Sequence, residues 1–215
     1  LHYLAWNALS ERHGLRFDPA FNEKLKGVDR SASLRLILEN SDVAVGDEKF
    51  ADMLAEKNDL YRRSLDQLGS KDLFPDILPL FDACRAAGLK IALASASRNA
   101  YEVLDRLGIT DRFDYIADAA RIGRQKPAPD IFVDCARQMG LEPRQCVGVE
   151  DARAGIAAIH AANMVAIGVG DPLNLPEADF HIPQTGDLRV EDILKLGELV
   201  RVQKPSPLHE RNENV

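Results

Sequence analysis

The chain is predicted to be an α/β protein, with a Rossmann-like, doubly wound parallel sheet as its core and an α-helical cap domain ahead of it. Three observations predict this. Residues 1–68 carry helical spacing of apolar residues and no strand-like alternation. From Leu73 onward, helices alternate with short apolar runs, the pattern of parallel strands joined by crossover helices. One of those runs, Cys146-Val147-Gly148-Val149, ends in the adjacent acids Glu150 and Asp151. In open parallel sheets ligands bind beyond the carboxyl ends of the strands, so this pair is expected at a crevice. The expected limits are 1–70 for the cap, 71–203 for the core and 204–215 for a polar, disordered tail.

Each element has its own reason. Leu1, Leu4, Ala5, Ala8 and Leu9 recur at helical spacing over 1–13, with no capping residue in front. A second helix is expected over 19–25. Gly27 can end it and Asp29 can cap the next, over 29–40. Lys26 and Arg30 flank that break and read, on spacing alone, as solvated helix-end cations. A long helix over 47–67 carries Lys57 and Asn58, for which the same plain reading holds.

In the core, a helix from Pro75 through Ala87 is ended by Gly88, and Lys90 to Ala94 reads as a buried strand. Ser95-Ala96-Ser97-Arg98-Asn99 then leads into a helix over 100–107. Further strands are expected at Asp114 to Ala117, at 146–149, at Val165 to Val169 and, as an edge, at Phe180 to Ile182. Helices are expected over 129–139, 152–162 and from Val190 to Val202.

Three groups carry chemistry. Small hydroxyl residues before a helix N-terminus gather unpaired N–H groups into an anion site, as at 95–99, although a serine cap explains them equally. Lys126, ahead of Pro127, is an ordinary loop lysine alone but a point charge for phosphate beside an acidic pair. Glu150 and Asp151 suit Mg²⁺, which prefers one or two carboxylates plus water and substrate phosphate; the dipole of the following helix would favour them too. Jointly they point to metal-assisted phosphoryl chemistry, with Lys126 and Asp151 expected to face solvent in the crevice.

Composition excludes other classes. The chain has 215 residues, 27 basic against 34 acidic, and a net charge of -7, which disfavours a general polyanion-binding surface. Nucleic acid is not an expected partner. The three cysteines, Cys84, Cys135 and Cys146, lack CxxC spacing and read as buried reduced thiols of a cytoplasmic protein. No apolar run reaches the roughly 20 residues that span a bilayer, so no membrane partner is expected.

Taken jointly, these residues resemble the haloacid dehalogenase superfamily of aspartyl phosphotransferases, and within it the bacterial β-phosphoglucomutase family, over residues 1 to about 200. Three superfamily motifs carry the match: the hydroxyl of Ser95, Lys126 in Lys-Pro-Ala-Pro-Asp, and Glu150-Asp151 in Gly-Val-Glu-Asp-Ala. The narrower match lies in 93–99, 21–30, Glu56 to Asp59, and His2 with Trp6. The resemblance implies that Ser95, Ala96 and Lys126 hold a transferring phosphate and that Glu150 and Asp151 hold Mg²⁺. It implies a distal-phosphate grip from Arg30, Ser97, Arg98 and Asn99, with Arg98 standing where that family usually has lysine. His2, Trp6, Lys26, Gly27, Ser33, Lys57 and Asn58 would be cap residues that steer a small phosphorylated sugar.

The implied reaction interconverts β-D-glucose 1-phosphate and glucose 6-phosphate through an aspartyl phosphate and a bisphosphate, in a protein expected to be monomeric. A cap that excludes water would let the aspartyl phosphate wait for a sugar. The family's first strand ends in Asp-x-Asp, carrying the nucleophile and the acid–base group, and residues 1–215 do not contain it. The chain as printed is therefore expected to be inactive, with two open edges in its sheet where that strand belongs. A sugar-phosphate phosphatase, and an inactive binding protein, are the alternative readings.

Overall fold

The computed structural model describes residues 1–203, so the tail expected to be disordered, 204–215, lies outside the described residues. The first helices pack among themselves. Helix α1 (His2–His13) ends at Gly14, whose left-handed φ of 63° lets its N–H reach back to the Ser10 and Glu11 carbonyls. Helix α2 (Pro19–Glu23) is shorter than expected, because Lys24 to Gly27 form a turn that ends with Gly27 at φ 73°. Asp29 caps α3 (Arg30–Asn40) as its sequence position suggested, accepting from Ser31 N–H at 2.9 Å and Ala32 N–H at 3.2 Å. Helix α4 (Asp47–Ser64) then tightens into a 3₁₀ turn over Leu65–Gln67. Trp6, Leu9, Leu34, Ile37 and Met53 are buried together between α1, α3 and α4. Truncating such a residue to alanine typically costs about 2–5 kcal/mol.

The sheet region follows the predicted alternation: α5 (Ile77–Ala86), β1 (Ala92–Leu93), α6 (Ala100–Leu107), β2 (Tyr115–Ile116), α7 (Asp130–Gln138), β3 (Val147–Glu150), α8 (Arg153–Ala161), β4 (Val165–Val169), β5 (Phe180–Ile182) and α9 (Val190–Gln203). Helix α5 starts two residues beyond Pro75, because Asp76 takes a left-handed φ of 65°. Every strand pairing is parallel. The fold class is thus the α/β arrangement expected, parallel strands with flanking helices.

The strands form two sheets, β1–β2 and β3–β4–β5, with open edges at β1 and β3 as expected where a strand is lacking. Among the described residues, β1 and β3 each pair on one side only, and β1 is shorter and less buried than the strand predicted over Lys90 to Ala94. Val149, in the middle of β3, is 42% exposed.

Behind the strands, Ile156, Ile159, Ile131, Phe132 and Ala166 form the main apolar core. Gly148 permits the close approach of α8 to β3: a Cβ there would lie 2.5 Å from Ile159 Cδ1. Cys84 and Cys135 are free and buried, and Cys146 is free, half-buried and just ahead of β3. Among the described residues, no helix is long and apolar enough to cross a membrane.

Candidate active site

A crevice of about 1270 Å³ opens between the helices α1–α4 and the carboxyl ends of the strands. From the strand side, β1 delivers Ser95, Ala96 and Ser97 to its wall. That loop is held by its own hydroxyls: Ser97 N–H donates to Ser95 Oγ at 3.1 Å, and Asn99 N–H donates to Ser97 Oγ at 3.2 Å.

Lys126 comes from the loop before α7 and is buried, not solvent-facing as expected from its loop position. Its Nζ donates to the Ala94 carbonyl at 2.9 Å, pairs with Glu150 Oε1, and lies 4.9 Å from the centre of the Phe132 ring. Glu150 can turn toward Lys126 only because α8 carries Gly155. A Cβ at that position would sit 2.1 Å from Glu150 Cδ. Glu150 Oε2 accepts from Asp151 N–H at 3.2 Å, while Asp151 itself is exposed.

From the helical side, Lys57 is 2% exposed, which overturns its plain reading as a solvated helix cation. Its Nζ lies 2.8 Å from His2 Nδ1 and over the rings of Trp6 and Tyr61, at 4.7 and 4.9 Å. His2 in turn stacks on Tyr61, ring centres 4.0 Å apart. Burial, then the nearby Arg30 charge, pushes the Lys57 ammonium down to about 7. Burial and the Lys57 charge push His2 down to about 3, so His2 is neutral near pH 7 and its Nδ1 can accept from Lys57.

Arg30 also lines the crevice. Burial first, and Arg98 second, hold its guanidinium below the usual range. Among the described residues neither arginine has a carboxylate partner, whereas Lys26 pairs with Glu23 at 2.6 Å. Ser33 is buried on α3. Gly27 brings the α2–α3 turn onto the α8 N-terminus: a Cβ there would meet Ala152 Cβ at 3.0 Å.

The fold thus gathers His2, Trp6, Lys26, Gly27, Arg30, Ser33 and Lys57 opposite Ser95, Ala96, Ser97, Lys126, Glu150 and Asp151. Asn58, Arg98 and Asn99 lie off the crevice wall, and Asn99 Nδ2 donates to Asn58 Oδ1 at 3.0 Å. Sequence reasoning missed the wall built by Asp76, Asp171, Asn174, Gln184 and Thr185. The last four follow the ends of β4 and β5, so the rule that located Glu150 would have found them too. Among the described residues, no three His, Cys, Asp or Glu side chains cluster as a metal site. Glu150 and Asp151 still offer hard oxygen donors in the number Mg²⁺ usually takes from protein, with water and phosphate completing its shell.

A model of the haloacid dehalogenase-like hydrolases matches residues 5–163. The chain is 36% identical to a β-phosphoglucomutase of Bacillus subtilis (strain 168), over 96% of this chain and 92% of that one. It is 32% identical to a fructose-1-phosphate phosphatase of Escherichia coli (strain K12), over 78% of this chain and 87% of the other. Among solved structures, that of a β-phosphoglucomutase from Clostridium difficile superposes with a TM-score of 0.88 at 41% identity, covering 94% of this chain and 91% of that one.

Proposed function

The chain belongs to the haloacid dehalogenase-like hydrolase family, and on that premise we propose that it interconverts β-D-glucose 1-phosphate and glucose 6-phosphate in the cytoplasm, as a monomer. The observation that carries this reading is a pair of separate cationic grips on one crevice. Lys126 sits at the strand ends, and Arg30 lines the facing helical wall. A sugar bisphosphate that must turn around between transfers needs both; hydrolysis of a single phosphate needs one.

The residues divide the work as follows. Lys126 has three donors, of which the Ala94 carbonyl and Glu150 use two, leaving one for the transferring phosphoryl group. The Ser95 hydroxyl accepts from Ser97 N–H, so its own proton is free to donate to the same group. Arg30, without a carboxylate partner among the described residues, is available to the distal phosphate, with Ser97, Arg98 and Asn99 around it. Lys57 and His2 fix the sugar side, with Trp6, Lys26, Gly27, Ser33 and Asn58, and the helices act as a cap that excludes water. Glu150 and Asp151 would hold Mg²⁺, which when bound would supply neutralising charge for phosphoryl transfer.

The attacking carboxylate and the acid–base group are proposed to come from an Asp-x-Asp strand between β1 and β3. The aspartate would take the phosphoryl group from one sugar oxygen and pass it to another, regaining its free carboxylate, while the acid–base group carries the hydroxyl proton. The inner edges of β1 and β3 and the exposure of Val149 support a slot for such a strand. Similarity to a sugar phosphatase supports a second reading, plain hydrolysis of a sugar phosphate. A coupled assay that follows glucose 6-phosphate against released orthophosphate separates the two. Orthophosphate without glucose 6-phosphate would replace the first reading by the second.

A further inference from the structure

Helices α4 and α6 meet along three polar rungs at matching helical intervals. Asn99 Nδ2 donates to Asn58 Oδ1 at 3.0 Å, Arg62 Nε donates to Glu102 Oε2 at 3.0 Å, and Arg106 Nη2 pairs with Asp66 Oδ1 at 3.0 Å. Positions 58, 62 and 66 are four apart on α4 and its 3₁₀ extension, and 99, 102 and 106 share one face of α6 and its cap. Glu102 also accepts from Arg106 at 3.4 Å, and Arg106 Nη1 donates to the Leu65 carbonyl at 2.9 Å. Val103 packs against the buried cluster of Ala5, Tyr61 and Leu65.

The first rung continues into the crevice. Asn58 binds Asn99, whose N–H donates to Ser97 Oγ, and Ser97 N–H donates to Ser95 Oγ. One hydrogen-bonded chain therefore runs from the cap helix to the loop assigned to the transferring phosphate.

We infer that the Asn58–Asn99 rung, braced by the rest of the α4–α6 seam, sets the geometry of the Ser95–Ser97 loop. Asn58, Glu102 and Arg106 are then positioning residues for the phosphate loop. Exposed ion pairs are individually weak, so the seam tunes the loop rather than holding the two units together. Only the choice of ligand in the test rests on the sugar-phosphate reading.

The coupling is tested first without ligand, by amide hydrogen exchange on the 215-residue chain. In Asn58→Ala, the Ser97 and Asn99 amides should exchange at least about threefold faster, while the Ile167 amide in β4 keeps its rate. Glu102→Gln should act in the same direction, more weakly. Unchanged exchange at Ser97 and Asn99 in both variants would overturn the inference, as would equal acceleration at Ile167. Trp6, the chain's one tryptophan, lines the crevice and supplies the second readout. Titrated against its emission, orthophosphate and glucose 6-phosphate should both bind Asn58→Ala about tenfold more weakly than the unaltered chain. Unchanged orthophosphate binding with glucose 6-phosphate alone weakened would make Asn58 a direct sugar contact and overturn the coupling. No response of the unaltered chain to glucose 6-phosphate would count against the sugar-phosphate reading, while the exchange result still decides the coupling.

Discussion

Lys126 and Glu150 pair across the inner edges of the two sheets, joining the loop before α7 to the end of β3, with side chains only 5% and 9% exposed. Two charges taken out of water stabilise little as a pair, but each becomes costly when the other is removed. The pair therefore links the candidate chemistry to the stability of the strand ends.

Lys126→Ala is expected to lower the unfolding free energy by about 3–5 kcal/mol, because it leaves a buried carboxylate unpaired. From its loop position the residue was expected to face solvent; its burial makes it matter for stability. In a chain supplied with the Asp-x-Asp strand, turnover should fall about a hundredfold or more, the usual cost of losing a preorganised phosphate contact. Urea unfolding and a turnover assay check the two effects. A loss of stability below about 1 kcal/mol would contradict the burial, and near-normal turnover would contradict the phosphate role.

Gly155→Ala is expected to push the Glu150 carboxylate off Lys126, since the added methyl lands on Glu150 Cδ. Overpacking of this kind costs about 1–3 kcal/mol. Thermal unfolding of the variant measures it. A variant as stable as the parent would show that Glu150 has room to move.

Stability should also vary with pH through Lys57. The unfolded chain holds this proton up to the ordinary value of 10.5, and the folded chain only to about 7. Between those values the unfolded state binds more protons, so stability rises with pH by up to about 1.4 kcal/mol per unit and levels off above the window. Lys57→Met removes that rise. Urea unfolding of both proteins between about pH 7 and pH 9 tests it, and identical slopes would contradict a buried, desolvated lysine.

Arg30→Ala, in the chain with the added strand, should damage mutase flux far more than hydrolysis of a small acyl phosphate. A small donor carries no distal phosphate for the cap cation to hold. Equal losses on both substrates would make Arg30 a structural residue.

Much of the fold was legible because periodicity and capping act locally. Asp29 caps α3 where its position said it would, and the apolar runs at 147–150 and 165–169 are paired parallel strands. The bounds failed where backbone conformation overrode the pattern, as at Asp76, whose left-handed φ delays α5. The crevice residues Ser95, Glu150 and Asp151 could be located by their place at strand ends. The burial of Lys57 and Lys126 could not, because their surroundings, Trp6, Tyr61 and His2 for one and Ala94, Phe132 and Glu150 for the other, are distant in sequence. Asn58 and Asn99 illustrate the same limit. The resemblance implies sugar- and phosphate-side roles for them, but their hydrogen bond across the α4–α6 seam could not be read from the sequence.

The most direct measurement compares residues 1–215 with the same chain extended at its N-terminus by about 10–20 residues, enough for one strand ending in Asp-x-Asp and its connection. Both are assayed for Mg²⁺-dependent conversion of β-D-glucose 1-phosphate and for thermal unfolding. The extended chain should form glucose 6-phosphate and melt at the higher temperature, because the added strand pairs with the free edges of β1 and β3. The unextended chain should give no turnover. Turnover by residues 1–215 alone, or an extended chain that releases only orthophosphate, would contradict this account.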